Sequence, residues 1–88
     1  MRSFDASRAW RLGPEVSLRE ENFGALAYHH GNRRLVFLKS HELVALLRRL
    51  GEFSSANEAL EVMVRGDEVP RYLEALASLE RSDLLRER

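Results

Sequence analysis

The stretch Phe23-Gly24-Ala25-Leu26-Ala27-Tyr28-His29-His30-Gly31-Asn32-Arg33-Arg34-Leu35-Val36-Phe37-Leu38-Lys39-Ser40 reads as a β-hairpin that runs straight into a helix start. At its centre Gly31-Asn32 places glycine first, which suits a two-residue type II′ turn whose first central residue needs a positive φ. A hairpin's register follows from its turn, so His30 faces Arg33, His29 faces Arg34, Tyr28 faces Leu35, Ala27 faces Val36 and Leu26 faces Phe37. Side chains alternate between faces. Leu26, Tyr28, Leu35 and Phe37 therefore share one side, and Ala25, Ala27, His29, Arg34, Val36 and Leu38 share the other. The first set is bulkier and more aromatic and is expected to face the core, with the second on a lighter, partly open face.

Directly opposed residues alternate between hydrogen-bonded and non-bonded pairs, and in a two-residue hairpin the pair flanking the turn is bonded. On that basis Arg33, Leu35 and Phe37 spend their backbone groups on the preceding strand, while those of Arg34, Val36 and Leu38 point to the far edge. An edge that nothing covers is a template for one more strand.

Working outward, Ser40 is a good N-cap, and Leu43, Leu46, Leu47 and Leu50 follow at helical spacing until Gly51, which predicts a first helix over about 41–50. Ser55-Ala56-Asn57-Glu58 has the form of a capping box ahead of Ala59, Leu60, Met63 and Val64, giving a second helix over about 55–64. Asp67-Glu68-Val69-Pro70 opens a third, about 68–82, whose apolar face carries Tyr72, Leu73, Leu76 and Leu79. Leu84-Leu85 closes the core as a short extended piece, with Arg86-Glu87-Arg88 fraying. On the other side of the hairpin, Trp10, Leu12, Val16 and Leu18 alternate with polar residues around Gly13-Pro14-Glu15 and give one or two short strands. Residues 1–8 are polar and expected to be loose. The fold class is α+β, a small winged-helix-like domain with an N-terminal three-stranded antiparallel sheet followed by three α-helices.

Eighty-eight residues suffice for one small domain. The 14 basic and 14 acidic side chains cancel, so no global field draws the chain to nucleic acid or an anionic membrane. The absence of cysteine excludes a disulfide scaffold, a thiolate metal site and a cysteine nucleophile, and fits a cytoplasmic protein. The N-terminus has no apolar signal core, and the aliphatic run from Leu43 to Leu47 is far too short to span a bilayer.

Candidates for chemistry are few. His29 and His30 are strand neighbours pointing to opposite faces, so they cannot hold one metal ion together, and His41 is remote in sequence. Glu20-Glu21 and Asp67-Glu68 sit in loops or at helix starts, where capping and solvated charge account for them. No Ser-His-Asp grouping, glycine-rich phosphate loop or H-E-x-x-H pattern occurs. The sequence thus predicts no enzyme, no catalytic residue, no metal and no cofactor. Arg33-Arg34 and Arg48-Arg49 raise a DNA-binding winged helix, but the third helix carries Asp67, Glu68, Glu74, Glu80 and Asp83 against Arg71 and Arg81, a balance that repels phosphate. Arg48-Arg49 is explained by a helix end that favours cations. Trp10, Tyr28 and Phe37 are read as core. Beyond Arg33-Arg34, Val36-Phe37-Leu38 is apolar, and a groove between this edge and the third helix suits an extended peptide. Free edges that pair with each other, making a homodimerisation module, are the remaining alternative.

Phe4-Asp5, Trp10-Arg11-Leu12, Pro14, Val16, Leu18-Arg19, Glu21, Phe23-Gly24-Ala25-Leu26, Tyr28-His29, Arg33-Arg34-Leu35 and Phe37-Leu38-Lys39 together resemble the mycofactocin biosynthesis chaperone family, MftB. Its members are stand-alone RiPP recognition elements similar to the PqqD chaperone. The likeness spans about residues 4–86, densest through Lys39. It implies binding of the leader of the precursor peptide MftA and delivery to the radical SAM maturase MftC, which acts on the precursor's C-terminal Val-Tyr. It also implies that the leader adds as a strand beside the third strand, in the groove with the third helix. The positions implied are Arg34, Val36 and Leu38 on the edge and Arg71, Tyr72, Ala75 and Leu79 on the helix; with Arg33, Leu35 and Phe37 of the same strand these are the expected peptide-binding residues. One departure from the family pattern is Ser82-Asp83, where a glycine is expected before the final apolar pair.

Overall fold

A computed structural model describes residues 4–88. Strand β1 (Trp10–Leu12) is followed by β2 (Val16–Glu21), β3 (Gly24–His29) and β4 (Leu35–Leu38), then α1 (His41–Arg49), α2 (Ala56–Met63), α3 (Val69–Arg81) and a last strand, β5 (Leu85–Glu87). Strands β2, β3 and β4 form a three-stranded antiparallel sheet in that order, and β1 pairs with β5 in a separate ribbon. The α+β, winged-helix-like arrangement read from the sequence is the arrangement observed.

The helices begin where capping chemistry places them. Ser40 is extended, and its hydroxyl accepts the Leu43 N–H at 3.1 Å. The Ser55 hydroxyl accepts the Glu58 N–H at 3.0 Å. The Glu58 carboxylate reaches back one residue further than a capping box requires, to the N–H and hydroxyl of Ser54 at 2.8 and 2.9 Å. Pro70 stands in the first turn of α3, where its missing N–H costs nothing.

At the far end of α3 the Asp83 N–H donates to the Glu80 carbonyl at 3.0 Å and the Leu84 N–H to the Leu79 carbonyl at 3.0 Å. This is a Schellman closure, and its left-handed residue is Asp83, with φ 64°. A short polar side chain tolerates that region, so aspartate stands in for the glycine the family pattern calls for.

Both ends of the described residues are tied to the rest of the fold. Residues 1–3 lie outside the described residues. From Phe4 onward the chain is tied down: the Phe4 ring lies 5.0 Å from that of Trp10, and the Trp10 indole donates to the Asp5 carbonyl at 2.8 Å. The carbonyls of Arg8 and Ala6 accept the N–H groups of Ala56 and Asn57 at 3.0 and 2.9 Å, satisfying orphan donors at the start of α2. Likewise Leu85, Arg86 and Glu87 do not fray but pair with Leu12, Arg11 and Trp10, and the Arg88 N–H donates to the Ala9 carbonyl at 2.8 Å.

The core lies between the helices and one face of the sheet, and it is the face opposite to the one sequence bulk selects. Ala25, Ala27, His29 and Leu38 are buried, whereas Leu35 and Phe37 are 54% and 56% exposed and Leu26 and Tyr28 only half-buried. The helices explain the inversion. Leu46, Leu47, Leu50, Leu60 and Leu76 fill the interior, and the small Ala25 and Ala27 let that layer approach the sheet closely. Trp10 is core as expected, while Tyr28 and Phe37 belong to the outer face.

Candidate functional site

Strand β4 is one edge of the sheet, β2 being the other, and no strand pairs on its far side among the described residues. The opposed pairs Tyr28–Leu35, Ala27–Val36 and Leu26–Phe37 are those set by the turn reading. The turn itself differs. His30, Gly31, Asn32 and Arg33 form a four-residue loop in which Arg33, not Gly31, takes a positive φ of 64°. The His29 N–H donates to the Arg34 carbonyl at 2.9 Å and the Arg33 N–H to the His29 carbonyl at 2.8 Å. Side chains close the loop: His29 Nδ1 accepts the N–H groups of Gly31 and Asn32 at 3.0 and 3.1 Å, and Asn32 Oδ1 accepts that of Arg34 at 2.9 Å. Because Nδ1 is an acceptor here, the His29 ring proton sits on Nε2.

A two-residue and a four-residue loop centred on the same point give the same opposed residues but shift the bonded pair by one position. His29 and Arg34 now flank the loop as the bonded pair, so alternation makes Ala27–Val36 and Ala25–Leu38 bonded as well. The other side of β3 agrees, since the His30 N–H donates to the Glu15 carbonyl at 2.8 Å, which turns Tyr28, Leu26 and Gly24 toward β2. The backbone groups left for the far edge are therefore those of Leu35 and Phe37, not of Arg34, Val36 and Leu38.

At the C-terminal end of β4 the surface opens into a hollow of about 470 Å³ lined by Phe23, Lys39, Ser40, His41, Glu42, Leu43, Arg71, Tyr72 and Ala75. Gly24 makes its rim possible: a Cβ there would lie 2.1 Å from the Leu38 carbonyl oxygen, and its φ of +148° suits glycine alone. This close approach presses the β2–β3 turn against the end of β4, and His41 Nε2 donates to the Asn22 carbonyl of the same turn at 2.7 Å. The hollow continues along α3 as a furrow through Arg71, Glu74, Ala75, Ser78 and Arg81, a stripe on one flank of the helix.

Three of the four α3 residues implied by the resemblance reach this surface or border it. Arg71 is exposed and bound to Glu68 at 2.6 Å, Tyr72 is buried with the Arg71 guanidinium 5.8 Å from its ring centre, and Ala75 is half-buried. The fourth, Leu79, is core, as is Leu38 at 2% exposed. The hollow brings Arg71, Tyr72 and Ala75 together with Lys39–Leu43 and Phe23 rather than with Arg33–Phe37, which lie along the open edge. Sequence reasoning missed Phe23 and the segment after β4; the signal was the Phe23-Gly24 pair, whose glycine marks a close backbone approach.

Electrostatically the edge is cationic. Among the described residues Arg33, Arg34 and Lys39 have no carboxylate within 4.0 Å, whereas Arg19, Arg48 and Arg49 are each paired. Within the hollow, the Glu42 carboxyl is held below the ordinary glutamate range by its own backbone N–H and by the Ser40 hydroxyl, with Arg71 adding a smaller attraction. No group of three or more potential metal ligands converges among the described residues. No helix is long and apolar enough to cross a membrane.

A bare strand edge beside a lined hollow, with main-chain groups aimed outward, is a surface that suits an extended peptide. Comparison with known proteins then assigns the family: the chain belongs to the peptide chaperone MftB family, whose model matches residues 9–86. The protein named Peptide chaperone MftB from Mycobacterium tuberculosis is 40% identical over 83 residues, covering 93% of this chain and 76% of that protein. Its namesakes from Mycobacterium ulcerans and Mycolicibacterium smegmatis are 40% identical over 84 residues, covering 94% of this chain and 77% and 82% of theirs. No solved structure matches the chain. Membership makes the role that of a peptide chaperone.

Proposed function

We propose that the protein binds the leader of the mycofactocin precursor MftA as an added strand on β4 and presents it to the radical SAM maturase MftC, without catalysing a reaction itself. The observation that carries this reading is the uncovered edge of β4, where the backbone groups of Leu35 and Phe37 have no strand to pair with among the described residues. A guest strand there gains main-chain hydrogen bonds along the edge. Guest side chains on the helix side come beside Val36 and run toward the hollow at Tyr72 and Ala75. Arg33, Arg34 and Lys39 favour an acidic leader and raise the association rate. Holding the leader while docked on the maturase raises its effective concentration at the reaction centre. Such work belongs in the cytoplasm, and a chain without cysteine is suited to it.

The test is an NMR titration of isotope-labelled protein with synthetic MftA leader. Shifts confined to residues 33–38, Phe23, Lys39–Leu43 and the Arg71–Ala75 turn support the reading. Shifts scattered over the surface, or none, refute it. The DNA-binding alternative is disfavoured because α3 and its two flanks carry Asp67, Glu68, Glu74, Glu80 and Asp83 against Arg71 and Arg81.

A further inference from the structure

Phe23 and Phe37 form a connection that peptide capture in the hollow does not use. Their rings stack with centroids 5.8 Å apart and planes 22° apart. Phe37 lies on the outer face of the sheet, the face turned away from the helices, while Phe23 also lines the hollow. The outer-face apolar surface and the hollow therefore form one continuous surface wrapped around the end of β4. On that face Leu35 is 54% and Phe37 56% exposed, and each stands over a half-buried partner, Tyr28 and Leu26. The residues whose backbone groups point to the guest are the same two whose side chains lie on the outer face.

From this the geometry points to a second apolar subsite, Leu35–Phe37–Phe23, that reads the guest strand from the side opposite the helices. The inference rests on the strand-addition reading and deepens it. Any residue directly opposite Leu35 or Phe37 carries its side chain on their face, within cross-strand contact distance. Successive guest residues point to opposite faces. The ligand class is thus an extended peptide with apolar side chains at adjacent positions, one for the helix side and the next for the outer stripe, rather than apolar at alternate positions only. An amphipathic strand with one polar face would leave Leu35 and Phe37 without apolar partners.

Two host variants, Phe37→Ser and Leu35→Ser, and an alanine scan of synthetic MftA leader test this by titration calorimetry, with circular dichroism melts confirming that each variant folds. Burying about one further aromatic or aliphatic side chain per contact is worth about a tenfold change in Kd. The expected result is about a tenfold loss for Phe37→Ser, a smaller one for Leu35→Ser, and alanine-sensitive leader positions in two interleaved sets, one of which loses its sensitivity in Phe37→Ser. Unchanged affinity in both folded variants, or a single alternating set of sensitive positions, overturns the subsite while leaving strand addition intact. A wild-type protein that binds no leader overturns both. If sedimentation shows a free dimer that Phe37→Ser splits without changing leader affinity, the stripe is a contact between copies and the subsite is overturned.

Discussion

The two outer strands of the three-stranded sheet are treated in opposite ways. Strand β2 exposes Ser17, Arg19 and Glu20, and its charges are engaged: Arg19 pairs with Glu21 at 2.6 Å, and Glu20 with Arg48 of α1 at 3.2 Å. Charge along an edge is an ordinary defence against unwanted pairing. Strand β4 carries Leu35, Val36, Phe37 and Leu38 with no charge among them, and its nearest cations, Arg33, Arg34 and Lys39, stand beyond its ends. One margin is guarded by charge and the other is apolar, which is the asymmetry that the proposed strand addition at β4 alone would use.

The largest effect should come from proline on β4, where adjacent positions answer differently. Val36→Pro removes an N–H bonded to β3 and leaves its acceptor unpaired, which should cost about 1–3 kcal/mol and lower the denaturation midpoint. Phe37→Pro removes an N–H aimed outward, so the protein should still melt cooperatively but lose leader binding in calorimetry. Equal destabilisation by both would erase the distinction between the two sides of the strand. Next, Gly24→Ala forces a Cβ against the Leu38 carbonyl oxygen at a φ of +148°, and should cost about 1–3 kcal/mol in chemical denaturation while opening the hollow.

Charge offers a gentler probe of the comparison. Reversing Arg33 and Arg34 to Glu makes the approach to β4 resemble that to β2, and stopped-flow association with an acidic leader should slow, with most of the salt dependence lost and the melt little changed. Asp83→Val should cost about 1–2 kcal/mol in denaturation because a β-branched residue fits the left-handed region poorly, whereas Asp83→Gly should stay within about 1 kcal/mol of wild type.

The smallest effect is that of pH. Glu42 and Glu58 have carboxyls held low, Glu42 by its own backbone N–H first and Glu58 by the Ser54 backbone N–H first. A depressed carboxyl contributes stability above its unfolded pKa and loses it as pH falls through the lower folded value. Melting temperature should therefore drop slightly below the ordinary glutamate range, and less so in the Glu42→Gln, Glu58→Gln double variant. Both groups are exposed, so the change is modest.

What was legible in the sequence follows the range of the interactions involved. Helix starts at Ser40 and Ser55 depend on neighbours a few residues away, and each was readable; the left-handed position at Asp83 was marked only by the glycine that the family pattern expects at Ser82-Asp83. The opposed pairs of the hairpin were readable too, because any loop centred between Gly31 and Asn32 gives them. Which backbone groups face outward was not, since that depends on whether the His29 imidazole closes a longer loop, a tertiary choice hidden behind a glycine suited to a shorter one. The burying face was misread for a related reason: bulk on a strand indicates the core only when the opposing layer lacks bulk, and here leucines from three helices supply it. The extended piece at Leu84-Leu85 was readable, but its continuation through Arg86 and Glu87 and its pairing with β1 were not, because the partner lies more than seventy positions away. Of the candidate site, Arg71, Tyr72 and Ala75 were placed by resemblance and come to line the hollow, while Phe23 was signalled only by Gly24 beside it, whose close approach to Leu38 depends on strand pairing.

Amide hydrogen exchange at single-residue resolution, with and without MftA leader, examines the open margin itself. The N–H groups of Leu35 and Phe37 should exchange quickly in the free protein and become protected when the leader is added, while Val36 stays protected throughout. Protection at Leu35 and Phe37 without the leader, or exchange there that the leader leaves unchanged, would contradict the account.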